Sequence, residues 1–164
     1  MDQWCGHPCR WWGAYQLSMT TTEIISYLPY SAPFHFVDDL SEVSEDGVIG
    51  TYRFSRSDYF YQGHFKDAPV TPGVILTEVM AQIGVVCLGI YLMRDSLDQG
   101  DLQVAMTSSE VDFFLPVYPG EEVHVTSRKE YFRFNKLKCS VEMRNEKKEL
   151  VCRGHIAGMF ANGS

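Results

Sequence analysis

Glu78 is the first residue in this sequence that asks for a chemical explanation. It stands among Val74, Ile75, Leu76, Val79, Met80 and Ala81, and a carboxylate removed from water is costly unless it is paired or hydrogen-bonded. Gln82 follows four residues on, the spacing that puts two polar side chains on one helix face, and Thr77 flanks them. A salt bridge to Arg53 or Arg56 would be the purely structural use of such a group. A chemical use is opened by His64, which lies upstream in Gly63-His64-Phe65. A loop histidine beside a carboxylate can form a general acid/base pair. Gly73, directly after Pro72, adds a third ingredient. Its N–H and that of Val74 have no acceptor within a helix starting there, and they sit at the positive end of its dipole. A carbonyl or oxyanion can be held at such a place.

Other chemistries have less to work with. There is no Gly-x-Ser-x-Gly, no Gly-rich phosphate loop and no His-Glu-x-x-His. Cys5, His7 and Cys9 lack a second Cys/His pair at zinc-finger spacing, so no metal is expected. Five cysteines, an odd number without framework spacing, read as free thiols. His35, His124 and His155 read as ordinary strand residues.

The elements that must position these groups can be read from pattern. Thr20 and Glu23 have capping-box spacing, predicting a short helix over about 21–27. Phe34 to Val37 reads as a strand, Glu45-Asp46-Gly47 as a turn, and Val48 to Ser55 as a second strand with Val48, Gly50, Tyr52 and Phe54 on one face. Asp58 to Thr71 reads as a loop. Thr71 as N-cap and Pro72 as first helical residue then start a helix of roughly 20 residues. It runs to about Met93 and is apolar almost all round, so it must be covered on most sides. Gln103 to Leu115, Glu122 to Phe134, Leu137 to Arg144 and Leu150 to Phe160 read as antiparallel strands. The result is an α+β domain, a curved antiparallel sheet wrapped around one long central helix.

The chain has 164 residues, 45% hydrophobic and 21% charged, which fits one globular domain over 19–164. Residues 1–18, with all three tryptophans, read as an N-terminal extension, or as sequence preceding a true start at Met19. Fourteen Lys and Arg against 21 Asp and Glu give −7, the wrong balance for general nucleic-acid binding. The apolar run from Val79 to Met93 is short for a membrane span. With no basic start and apolar stretch at the N-terminus, a cytoplasmic protein is expected.

The stretch GHFKDAPVTPGVILTEVMAQ (63–82) closely resembles the active-site segment of the hotdog-fold 3-hydroxyacyl-acyl-carrier-protein (ACP) dehydratases, and within them the FabZ type. LPYSAPFHFVDDL (28–40) and VDFFLPVYPGEEV (111–123) resemble two further blocks of that family, in the same order. The resemblance implies a hotdog fold and elimination of water from a 3-hydroxyacyl thioester, without a cofactor. It implies His64 and Glu78 as catalytic residues. Gly73, with Val74, would hold the thioester carbonyl, and Val70 would orient the histidine through its carbonyl. Gln82 would place the carboxylate or its water, and Phe65 would line the substrate. It further implies an acyl carrier protein as partner and a homodimer in which His and Glu of different chains meet, with a trimer of dimers as a larger form.

The chain departs from the family at Lys66-Asp67-Ala68-Pro69, at Thr71, at Tyr30 in place of a usual His and at Leu115 in place of a common Arg. These changes bear on the acyl tunnel and the carrier contact, and leave room for a polyene, polyketide or lipid pathway beside primary fatty-acid synthesis. Arg128 to Lys138 offers a local basic stretch for an acidic carrier, or simply a solvated strand face. A hotdog thioesterase and a non-catalytic acyl-binding module are the alternatives; the pairing of His64 with Glu78 favours elimination.

Overall fold

Thr20 and Glu23 cap each other as their spacing predicts. In the computed structural model, which describes residues 18–97 and 102–162, the Glu23 N–H donates to the Thr20 hydroxyl at 3.2 Å and the Thr20 N–H donates to the Glu23 carboxylate at 2.7 Å. Two donors that a helix start leaves without partners are thereby satisfied, and helix α1 (Thr21–Ser26) follows. All but Ser18 of the expected extension, including Cys5, His7 and Cys9, lies outside the described residues.

Six strands form one antiparallel sheet: β1 (Asp39–Val43), β2 (Gly47–Arg53), β3 (Leu102–Phe113), β4 (Glu122–Arg133), β5 (Lys136–Asn145) and β6 (Leu150–Asn162), in the order β1-β2-β4-β5-β6-β3. The alternation read from the sequence sets which face is covered. In β5, Leu137, Cys139, Val141 and Met143 are fully buried while the residues between them are not; in β2, Val48, Gly50 and Tyr52 are the buried positions, and Phe54 just after the strand continues them. Cys87, Cys139 and Cys152 are free and buried.

The first strand of the early hairpin forms later than the sequence predicts, while the turn and second strand fall where expected. Phe34 to Val37 is extended but not a strand, and β1 begins at Asp39, pairing with β2 from Asp39↔Thr51 to Val43↔Val48. The physical reason lies in the helix beneath. The Gln82 side chain takes up the Phe36 N–H at 2.8 Å and donates to the Phe34 carbonyl at 3.0 Å, so these backbone groups are satisfied without a neighbouring strand.

The central helix is continuous over Gly73–Leu92 and consists of α2 (Gly73–Ala81), a π-helical stretch (Gln82–Cys87) and α3 (Leu88–Leu92). By length and mean hydropathy (2.0) it could cross a membrane, but 78% of its most apolar window is buried inside the protein. It packs against five of the six strands, β2 through β6, which is the cover that its all-round apolar surface requires. The expected cap is corrected. Pro72, not Thr71, is the N-cap residue, with no side-chain cap bond. Thr71 instead exchanges a 2.6 Å hydrogen bond with the Tyr61 hydroxyl and donates its N–H to the Val117 carbonyl. Its side chain is thus spent on fastening the preceding loop. The π-helical stretch was not predicted. Nothing in Gln82-Ile83-Gly84-Val85-Val86-Cys87 distinguishes it from ordinary helix, and one partner that supports it comes from elsewhere: Ser127 of β4 donates to the Gly84 carbonyl at 2.7 Å.

Candidate active site

The helix start is built to leave donors free. Ile75 and Leu76 both donate to the Pro72 carbonyl, so the N–H groups of Gly73 and Val74 precede the first helical acceptor. The Phe113 ring explains the glycine: a Cβ at residue 73 would sit 3.3 Å from two of its atoms. Val74, beside it, is 76% exposed on a helix whose other residues are buried or half-buried.

Glu78 sits in the second turn of the helix, partly buried, and accepts a hydrogen bond at Oε1 from Gln82 Nε2 at 2.9 Å. Within the protomer neither Arg53 nor Arg56 pairs with Glu78. Arg53 pairs with Glu122 at 3.1 Å and Glu146 at 3.0 Å, and the Arg56 guanidinium lies over Gly120. Gln82 is fully buried, and its amide has only one possible orientation. Phe36 N–H can only donate and the Phe34 carbonyl can only accept, so Oε1 faces the first and Nε2 the second. The remaining N–H of that amide then points to Glu78 as a donor.

His64, partly buried in the loop before the helix, has Nδ1 2.8 Å from the Val70 carbonyl. A carbonyl can only accept, so Nδ1 carries the hydrogen and Nε2 of the neutral ring holds the lone pair. Phe65, 59% exposed, stacks on the imidazole with centroids 4.1 Å apart. Of the residues singled out from sequence, the protomer therefore joins His64 with Val70 and Phe65, and Glu78 with Gln82. Among the described residues, no hydrogen bond or ion pair connects His64 to Glu78.

Two further residues border the site, Tyr30, singled out from sequence only as a departure from the family, and Phe113, which sequence reasoning did not single out. Tyr30 has its phenol pushed up to about 12, first by burial and then by the nearby Glu78 carboxylate. Its ring meets that of Phe34 at 6.3 Å, placing it beside the segment clamped by Gln82. Phe113 is the other, and its alternation in β3 gave no sign that it would cover a glycine. The basic stretch Arg128 to Lys138 forms the β4–β5 hairpin. Arg94, just past the helix, pairs with Glu45 at 2.8 Å, and Lys129 N–H donates to the Asp46 carbonyl. The hairpin therefore stands at the end of the protomer where the helix finishes, away from Gly73. Part of its charge is neutralised, since Glu130 binds Lys138 and His155.

Comparison with known proteins identifies the family. The FabA-like domain family matches residues 28–149, and the chain belongs to that family. A 3-hydroxyacyl-ACP dehydratase FabZ from Clostridium perfringens is 32% identical over 149 residues, 88% of this chain and 99% of the relative. One from Allorhizobium ampelinum is 33% identical over 144 residues, 85% and 88% of the two chains. Among solved structures, the dehydratase heterocomplex ApeI:P from Xenorhabdus doucetiae superposes with TM-score 0.72 at 16% identity, over 85% of this chain and 91% of that one. A thioesterase from Haemophilus influenzae gives 0.61 at 20% identity over 87% and 91%. At those identities the superpositions speak for the shared hotdog fold alone.

Proposed function

We propose that this protein is a (3R)-3-hydroxyacyl-ACP dehydratase, a hydro-lyase that converts a 3-hydroxyacyl thioester to the trans-2-enoyl thioester and water in fatty-acid or related lipid synthesis. The observation that carries this reading is the fixed polarity of both titratable groups. Val70 leaves His64 a free lone pair on Nε2, and Gln82 occupies Oε1 of Glu78 as a donor, leaving Oε2 to face the substrate. One base and one acid are what elimination needs.

The substrate thioester oxygen binds the N–H groups of Gly73 and Val74. His64 Nε2 removes the α-proton, and the electron pair of the C–H bond becomes the enolate, its negative charge on that oxygen at the helix N-terminus. The enolate collapses to the Cα–Cβ double bond as the Cβ–O bond breaks. The departing hydroxyl takes the proton from Glu78 Oε2 and leaves as water. His64 then holds one proton too many and Glu78 one too few, and transfer through water restores both.

The active site belongs to a homodimer, with His64 of one chain facing Glu78 of the other. The exposure of Val74 and Phe65, both apolar and both at the site, supports this. So does β3, a twelve-residue strand at the sheet edge with most of its residues exposed, an arrangement that invites pairing with a second copy. The substrate is delivered by an acyl carrier protein, in the cytoplasm.

The test follows enoyl formation and free-thiol release together on 3-hydroxyacyl-ACP. Enoyl formation is expected without thiol release, and His64→Ala and Glu78→Gln should each lower it about 10²–10⁴-fold. Thiol release without enoyl product would instead make the protein a thioesterase, and silence in both channels from folded protein would leave acyl binding.

A further inference from the structure

Beside the loop that carries His64 lies a cleft of about 420 Å³, lined by Arg56, Ser57, Gln62, Pro69 and Pro119 among others. Nothing in the mechanism above uses it. Arg56 lies over Gly120, where a Cβ would meet its Nε at 3.2 Å and its Cζ at 3.3 Å; Gly120 has φ +90° and no side chain to push the guanidinium away. Among the described residues no carboxylate lies within ion-pair distance of Arg56, whereas Arg53 holds two and Arg94 and Arg144 one each. The acid in the cleft wall, Asp58, is turned to the chain itself and accepts from the Ser55 N–H at 2.9 Å. Burial pushes its carboxyl above the ordinary value.

The cleft is tied to the catalytic machinery at two points. Gln62 immediately precedes Gly63-His64. Tyr61, also in the cleft wall, exchanges its hydroxyl hydrogen bond with Thr71, two residues before Gly73. A thioester held at Gly73 trails a pantetheine arm about as long as five extended residues, roughly 17 Å, and that arm ends in a phosphate. In a chain of net charge −7, a phosphate needs a local cation, and a guanidinium offers it paired hydrogen bonds.

We propose that Arg56 and this cleft bind the phosphate of the substrate's 4′-phosphopantetheine arm. The proposal rests on the thioester substrate argued above. The shared chemistry is that phosphate, carried both by coenzyme A and by an acyl carrier protein.

Calorimetric titration of the full chain with 4′-phosphopantetheine and with pantetheine tests the cleft without requiring turnover. Phosphopantetheine should bind the wild type about tenfold more tightly than pantetheine, and Arg56→Ala should remove that difference. Equal binding of the two by the wild type would overturn the proposal. In turnover, Arg56→Ala should raise KM about tenfold for acyl-phosphopantetheine, acyl-CoA and acyl-ACP, with kcat and the acyl-pantetheine reaction unchanged and with partial rescue by Arg56→Lys. An equal loss on acyl-pantetheine would mean that Arg56 only supports Gly120. A loss confined to acyl-ACP would place Arg56 against the carrier's protein surface, and one confined to acyl-CoA against the adenosine phosphates; each overturns the proposal. Failure of the dehydratase reading itself would appear separately, as absence of enoyl product from the wild type on every thioester.

Discussion

Gln82 performs three jobs with one amide, and each depends on the others. Its oxygen takes the Phe36 N–H, while its nitrogen serves the Phe34 carbonyl and Glu78. The first two bonds fix the direction of the third. Gln82→Met keeps the volume of the side chain and removes all three bonds, leaving the N–H of buried Phe36 without its acceptor. We expect a loss of about 2 kcal/mol in urea unfolding, together with a fall in kcat larger than any change in KM, because Glu78 loses its fixed orientation. A stability loss with unchanged kcat would reduce Gln82 to a fastener of the 34–36 segment. The pairing of Glu78 with Gln82 was legible in the sequence from their four-residue spacing. The other two bonds were not, because they join the helix to a segment that local pattern marks as strand.

Among the elements, the long apolar helix and the four strands after it were legible because each carries its own period. What escaped was decided by contacts between distant segments. The cap at Thr71 was lost to Tyr61, strand β1 was displaced by the Gln82 clamp, and the π-helical stretch draws on Ser127. The helix also has one point where its neighbour leaves no room. A Cβ on Gly89 would collide with the ring of buried Phe160. Alanine at an ordinary helical glycine stabilises by up to about 1 kcal/mol, but overpacking of a filled core costs about 1–3 kcal/mol. We expect the second effect to win, so that Gly89→Ala lowers the thermal midpoint. A raised midpoint would show that Phe160 can move aside.

For the whole molecule, the separation of His64 from Glu78 within one protomer carries a quantitative expectation. If the two meet across a dimer, chains bearing His64→Ala and chains bearing Glu78→Gln complement each other. A mixed dimer contains one site with both changes and one with neither. Equal co-expression should make half of the dimers mixed and so restore about a quarter of wild-type activity, whereas each variant alone stays inactive. Complementation that fails, with mixed dimers confirmed by mass spectrometry, would place both residues of a site in the same chain. That residues of these types could act together is legible from the sequence. Which chain supplies each is a property of the assembly, and no spacing along one chain encodes it.

The burial of the central helix has a consequence in time. It is made before four of the five strands that cover it, since only β2 among them precedes Gly73. Translation at about 5–20 residues per second leaves roughly 4–14 s between the emergence of Leu92 and completion of β6. During that interval the ribosome displays a segment as greasy as a bilayer anchor. Newborn chains therefore need a holdase, or rapid collapse of the helix onto β2, to escape both aggregation and misdelivery to the membrane-insertion machinery.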